Sequence, residues 1–331
     1  MTAIKPGSLM LAPMVELSHR PLRELVAGFG GCDRYYSEMT SAAGYLAGSP
    51  FDAWFLDPLP CPEQTVLQLY SPDAERMALA TQRLVRERQA EGVAVGGVEA
   101  NFGCSAPQIE RIGGGVKWMK DPAGAATLIR GMRQAAPDTL VSAKMRLGYE
   151  ESFDALRDFC AGLVEAGADY LVLHPRLSSE KFRRTGRWDY VRRLAAAMPV
   201  PVIGNGDIRD FRAYNAAMQD HAPGGIMIGR EAVRRPWIFA LIRGHQLDPG
   251  FSMQVDLEET GLRMISMIRI LLPKNFHLSR SRRFFFYYCD NLKFGHHIRF
   301  AIQNAPDLDA VEALFRGYFA EAPGERIKTD S

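Results

Sequence analysis

The sequence predicts a (β/α)8 barrel, of the TIM type, followed by a small all-helical C-terminal domain. Three observations predict it: short apolar, β-prone runs alternate with longer helical stretches, there are eight such runs, and the strand pattern stops after about Arg243. Alternation at this spacing implies parallel strands joined by right-handed crossovers, and eight of them suffice to close a barrel. The runs are SLMLAPM (8–14), CDRYYSEM (32–39), TVLQLY (65–70), VAVGGVEANFG (93–103), LVSAKMRLG (140–148), YLVLHPR (170–176), PVIGNGDI (201–208) and GGIMIGR (224–230). Between them lie helical stretches such as Pro72–Gln89, Pro122–Ala135, Ser152–Ala166 and Ile208–Met218. Several open on Pro or Asp and close near Gly, as helix ends prefer. A doubly wound open sheet is the competing arrangement. Its glycine fingerprint belongs after the first strand, where this chain has LAPMVEL instead.

Residues 1–244 are therefore read as the barrel domain and 245–331 as the helical domain, carried by DLEETGLRMISMIRILL, SRSRRFFFYYCDNLKFGHHIRFAIQ and DLDAVEALFRGYFAEA, with a short frayed tail. One long connection, 42–64, is rich in Pro, Gly and aromatics and is expected on the rim where barrel active sites are built.

Composition narrows the class. With 331 residues, 47% of them apolar and 24% charged, the chain can bury a large core. It lacks an apolar run of about eighteen residues and the pattern of a secretory leader, which predicts a cytoplasmic protein with no membrane partner. Its five cysteines, Cys32, Cys61, Cys104, Cys160 and Cys289, are scattered without zinc spacing, so neither a disulfide framework nor a metal is expected. A net charge of +2 gives no argument for nucleic acid from the total, and any basic surface must be local.

The C-terminal ends of barrel strands face the active site. The groups there are Pro13 and Met14, Glu38, Gln68, Asn101 with Cys104, Lys144 with Arg146, His174 with Arg176, Asn205 with Asp207, and Gly229 with Arg230. Lys144 and Arg146 are two residues apart, as are His174 and Arg176, so each pair projects from one strand face. For Arg176 an outward turn to a surface carboxylate stays open, whereas Lys144 inside an apolar strand reads as buried or ligand-bound. Glu38 reads either as an orienting group for a substrate hydroxyl or as a cap. The last two strands end in GNGDI, which includes Gly206, and GGIMIGR, and such turns after strands seven and eight of a barrel suit a phosphate. A phosphorylated ligand among two amides, a lysine and a histidine fits a flavin mononucleotide, although a sugar phosphate fits the same pattern.

Several motifs in register resemble those of the tRNA-dihydrouridine synthase family. LAPMVELSHRPLREL is similar to its opening motif, EANFGCSAPQIERIGGG to its cysteine loop, AKMRLG to its lysine strand, LHPR to its histidine strand, and GNGDI with MIGREAVRRPWIF to its phosphate-binding end. The segment HLSRSRRFFFYYCDNLKFGHHIRFAIQNAPDL resembles the helical RNA-binding domain of the shorter subfamily that includes the C-type bacterial enzymes.

The resemblance implies FMN-dependent reduction of the C5–C6 double bond of a D-loop uridine in tRNA, with NADPH as the electron source; no obligate protein partner is expected, and the chain is expected to act as a monomer. It implies Cys104 as proton donor. It also implies a flavin lining of Gln68, Asn101, Lys144, His174, Asn205, Gly206, Asp207, Gly229 and Arg230 with the backbone at Pro13 and Met14. Arg146 and Arg176 become substrate contacts. Arg280, Arg282, Arg283, Lys293 and Arg299 become phosphate contacts, Phe284 to Phe286 core residues, and Arg183 and Arg184 in EKFRRTGRWDY (180–190) an extension of the basic track. The chain departs from the family pattern in Ser105, where proline is usual, which loosens the cysteine turn, and in Pro175, where glycine is usual, which removes a backbone N–H. The alternatives are a barrel aldolase or isomerase with Lys144 as Schiff base, and an RNA-binding protein that has lost the reaction.

Overall fold

Strands that are apolar on both faces belong to a parallel sheet with helices outside and a packed interior inside. The computed structural model, which describes residues 4–181, 183–219 and 222–331, has that form. The strands are β1 (Ser8–Leu11), β2 (Tyr35–Tyr36), β3 (Thr40–Ser41), β4 (Thr65–Tyr70), β5 (Gly97–Phe102), β6 (Val141–Met145), β7 (Tyr170–Leu173), β8 (Val202–Asn205) and β9 (Gly225–Ile228). Every pairing among them is parallel, in the order β1-β9-β8-β7-β6-β5-β4-β2. A bridge between Met10 and Arg34 brings the sheet round to its start. β2 and β3 both pair with β4 and share one position of the barrel. All eight expected runs thus form the barrel, whose interior is filled by Met10, Tyr36, Val66, Tyr170, Val172, Ile203 and Met227. The hydroxyls of Tyr36 and Tyr170 meet across it at 2.8 Å.

The crossover helices start where side-chain oxygens can satisfy their first N–H groups. Asp73 accepts from the Arg76 N–H at 2.7 Å, Asp121 from Gly124 at 3.0 Å with Pro122 as first helical residue, and Asp210 from Ala213 at 2.7 Å. Beyond the barrel, helices Leu257–Leu271, Lys274–Tyr288, Gly295–Asn304 and Leu308–Glu321 follow, and Asp256 and Asp307 cap two of them. One apolar cluster joins Leu9, Leu11 and Ile228 of the barrel to Phe284, Phe285 and Phe315, so the helices share a core with the barrel. No helix among the described residues is long and apolar enough to cross a membrane.

The expected frayed tail is instead a strand. β10 (Met253–Asp256) pairs antiparallel with β11 (Ile327–Asp330). The segment IKTD has one apolar residue and carries no strand signal; pairing and a buried charge hold it. Asp330 takes both an Arg235 guanidinium nitrogen, at 3.0 and 3.1 Å, and the Trp237 indole N–H at 2.7 Å. Removing one member of a buried ion pair leaves the other uncompensated, at a cost of about 3–5 kcal/mol. Asp330→Ala is therefore expected to lower the unfolding free energy by an amount in that range, read as a lower urea midpoint at constant m value, and an unchanged midpoint would mean that the tail is ornamental.

Candidate active site

The strand ends and the helix Lys274–Tyr288 enclose a cavity of about 830 Å³. Pro13 and Met14 follow β1 into it, Gln68 comes from β4, and Asn101 and Cys104 from β5 and its loop. Lys144 and Arg146 enter from β6, His174 and Arg176 from beyond β7, Asn205, Gly206 and Asp207 from β8, and Gly229 and Arg230 from β9. Parallel register produces this convergence, with Gln68 opposite Glu99 and Asn101 opposite Lys144. Arg283 and Tyr287 close the side nearest the C-terminal helices.

The cysteine loop is tied down from two sides. The Asn101 side-chain oxygen accepts the N–H groups of Gly103 at 3.1 Å and Cys104 at 2.9 Å, and the Cys104 carbonyl accepts the Val116 N–H at 2.9 Å. Gly115 has φ +61°, and a Cβ there would fall 2.3 Å from the Cys104 carbonyl oxygen. The GGG run is thus the floor under the loop, and these ties hold it although Ser105 stands where proline is usual. Gly115→Ala is expected to cost about 1–2 kcal/mol of stability and to displace Cys104. Limited proteolysis around 104–116 would register the displacement, and unchanged cleavage would exclude it. Burial raises the Cys104 pKa, against the pull of the Ala106 N–H, Arg146 and Lys144, so the thiol keeps its proton.

Both cation pairs turn inward. Around Pro175 the Arg176 N–H returns to the His174 carbonyl at 2.7 Å, a tight turn that folds the Arg176 side chain back over the histidine. Arg176 donates to His174 Nε2 at 2.9 Å and to Asp207 Oδ1 at 2.5 Å, while Asp207 Oδ2 accepts the Gly186 N–H at 2.7 Å. Because a guanidinium only donates, His174 Nε2 accepts. Burial, with Lys144, Arg146, Arg176 and Arg230 nearby, drives the His174 pKa well below the ordinary value and keeps the ring neutral. Arg146 holds the Gly103 carbonyl at 3.1 Å and the Lys181 carbonyl at 3.0 Å. Lys144 is half-buried on the cavity floor, and its ammonium has no hydrogen bond or ion pair among the described residues. Withdrawal from bulk water lowers its pKa and raises that of Glu99, while each opposes the shift of the other.

The far end of the cavity is backbone-lined. The N–H groups of Gly206, Asp207 and Gly229 take no backbone carbonyl among the described residues. Gly206 has φ +120°, and a Cβ on it would come within 3.0 Å of the His174 ring and 3.2 Å of the Arg176 guanidinium. That cradle, the unbonded ammonium of Lys144 and the amides of Gln68 and Asn101 fit a flavin mononucleotide with its phosphate at the glycine end.

Other expected residues lie elsewhere. Arg280 is buried, pairing with Glu16 at 3.2 Å and lying 3.9 Å from Glu38, which leaves it too little surface for a phosphate. Glu38 caps the chain after β1 by accepting the Glu16 N–H at 2.6 Å. Arg282 is spent on the Ala305 carbonyl at 2.6 Å, and Arg299 pairs with Asp290. Arg183, Arg184 and Lys293 are exposed, and residue 182 of the basic segment 180–190 lies outside the described residues. Of the three phenylalanines taken as core, Phe284 and Phe285 are buried and Phe286 is 43% exposed, with Arg299 over its ring at 5.3 Å. The connection 42–64 contributes nothing to the cavity wall among the described residues; its Phe51 and Phe55 rings pack 4.9 and 5.8 Å from Phe276 instead. Cys32, Cys160 and Cys289 are buried and free. Glu99 and Tyr287 escaped the sequence reading, yet period two on β5 puts Glu99 on the same inward face as Asn101.

Comparison with known proteins bears on the same region. A model of the dihydrouridine synthase (Dus) family matches residues 10–316. The chain is 32% identical over 243 residues to the tRNA-dihydrouridine(16) synthase of Cupriavidus necator, covering 71% of this chain and 73% of that one. It is 28% identical over 273 residues to a probable tRNA-dihydrouridine synthase of Aquifex aeolicus, covering 80% and 83%. Among solved structures, histamine dehydrogenase from Rhizobium sp. 4-9 superposes with a TM-score of 0.53 at 12% identity, covering 80% of this chain and 50% of that one, a likeness of fold alone.

Proposed function

The chain belongs to the dihydrouridine synthase family, and on that premise we propose that it reduces a D-loop uridine of tRNA, with FMN bound in the barrel mouth and NADPH as reductant. One observation carries the reading: a protonated thiol, an unbonded ammonium and a neutral imidazole line the same cavity, whose far end is a glycine cradle. FMN, when bound, supplies the hydride for the uracil double bond. Cys104 holds the complementary proton on Sγ and gives it to C5 of the base. Lys144 supplies positive charge beside the ring system, and Gln68 and Asn101 supply amide donors and acceptors to it. Asn205, Gly206, Asp207, Gly229 and Arg230 form the phosphate end, and the Arg176–Asp207 pair holds His174 in one tautomer beside it.

A base must leave its stack to enter a cavity at the strand ends of a barrel, which favours a loop nucleotide over a paired one. Arg283 on the cavity rim, with exposed Lys293, Arg183 and Arg184, offers phosphate contacts, and exposed Phe286 and Phe300 offer rings for stacking. The Cupriavidus necator relative, named for position 16, makes that uridine the first to assay. The test is to incubate tRNA lacking dihydrouridine with the protein, FMN and NADPH, and to map the product by mass spectrometry. A mass increase of two hydrogens on one D-loop uridine supports the proposal, and no product with flavin-loaded protein overturns it.

A further inference from the structure

A chain of hydrogen bonds runs from beneath the cavity floor to the backbone of Cys104, and its polarity is set at both ends. At the upper end, the N–H groups of Gly103 and Cys104 can only donate, so Asn101 must turn its oxygen to them, at 3.1 and 2.9 Å. Its Nδ2 then faces Gln68 and donates to Oε1 at 2.9 Å. Gln68 Nε2 in turn donates to Glu99 Oε1 at 2.6 Å. Glu99 is completely buried, and its other oxygen accepts from the Ser142 hydroxyl at 3.2 Å. Both bonds of Glu99 are accepted. A carboxylate at the lower end and backbone donors at the upper end thus require the same orientation of both amides between them.

We propose that Glu99 is a positioning residue for the Cys104 loop, acting through Gln68 and Asn101, and that what it supplies is an obligatory acceptor. Two primary amides in series have two self-consistent orientations, related by flipping both. In the wrong one, Asn101 presents its NH2 group to the N–H groups of Gly103 and Cys104, and the loop loses its upper tie. Ionised, as the neighbouring Lys144 ammonium favours against the burial that raises its pKa, Glu99 is acceptor-only and removes that orientation, because Gln68 would then turn its own oxygen toward the carboxylate. Glu99 lies opposite Ser142 in the register, and Lys144, two residues further along β6 and opposite Asn101, carries the counter-charge that favours the carboxylate there. The catalytic consequence, a correctly directed thiol, rests on the proposed role of Cys104; the bond chain itself does not.

Amide hydrogen exchange at Gly103 and Cys104 in the flavin-free protein reads the tie directly. Glu99→Met, similar in shape and without an oxygen, is expected to speed exchange of both amides roughly tenfold, the loss of about one net hydrogen bond, with the amides of β6 and β7 unchanged. Glu99→Gln keeps an oxygen for Gln68 in only one of its two orientations, and its exchange is expected to fall between wild type and Glu99→Met. Glu99→Met with Asn101→Asp moves the acceptor-only group to the top of the chain, where the new carboxylate accepts from Gly103, Cys104 and a flipped Gln68, and protection is expected to return. Unchanged exchange in Glu99→Met, or a Glu99→Gln as fast as Glu99→Met, overturns the proposal, as does a double variant no better protected than the single one. Assay on tRNA separates the two readings. Wild-type protein that yields no dihydrouridine while the exchange pattern holds defeats the functional reading alone; normal product with exchange unaffected by Glu99→Met defeats the positioning role alone.

Discussion

Cys104→Ala is expected to lower dihydrouridine formation by about 10²–10⁴-fold, the range for removing a positioned general acid, with flavin content and fold unchanged. The fold should survive because Cys104 is held by its backbone, through its N–H to Asn101 and its carbonyl to Val116, and its side chain is no part of those ties. The acid form of the thiol is the working form, so the rate falls as pH rises through its pKa. Burial raises that pKa above the ordinary thiol value while Arg146 and Lys144 pull it down, so the rate should stay level through neutral pH and decline only on the alkaline side. Quantifying dihydrouridine in tRNA against time for both proteins, from about pH 6 to about pH 10 so as to span the thiol titration, checks both statements. Equal rates for wild type and variant would remove Cys104 from the chemistry.

What was legible in the sequence follows from period and position. Nearly every barrel strand ends in a polar group that lines the cavity, and the rule that barrel sites form at those ends picks out Gln68, Asn101, Lys144, His174 and Asn205. Glu99 was not, because it sits two residues below the strand end, where a carboxylate looks like an error in an apolar run until its partners across β4 and β6 are known. The arginines of SRSRRFFFYY show the opposite failure. A cationic run says that charge is present but not which residue faces water: on the helix Lys274–Tyr288, Arg280 faces Glu16 and Glu38 of the barrel, Arg282 faces the next helix, and Arg283 reaches the cavity. Strand β11 was invisible for a third reason. Its stability resides in Asp330 meeting Arg235 and Trp237, residues nearly a hundred positions away, and no local pattern encodes that contact.

Lys144→Met is expected to weaken FMN binding by about 10–100-fold, the worth of one hydrogen bond from a charged donor, and to reduce tRNA-dependent turnover at least as much. An ammonium withdrawn from bulk water without a hydrogen bond is costly, and here the nearby Glu99 carboxylate offsets part of that cost. Two roles are then open to the lysine, ligand to the flavin or mere counter-charge to Glu99, and the single variant removes both. Combining Lys144→Met with Glu99→Gln separates them. The double variant leaves no uncompensated charge in the floor, and its melting temperature should recover toward that of the wild type. If Lys144 binds the flavin, the Kd measured by fluorescence quenching on flavin-free protein stays weak in the double variant. If affinity returns with stability, the lysine serves only to neutralise Glu99, and the positive charge assigned to the reaction must come from Arg146 or Arg230.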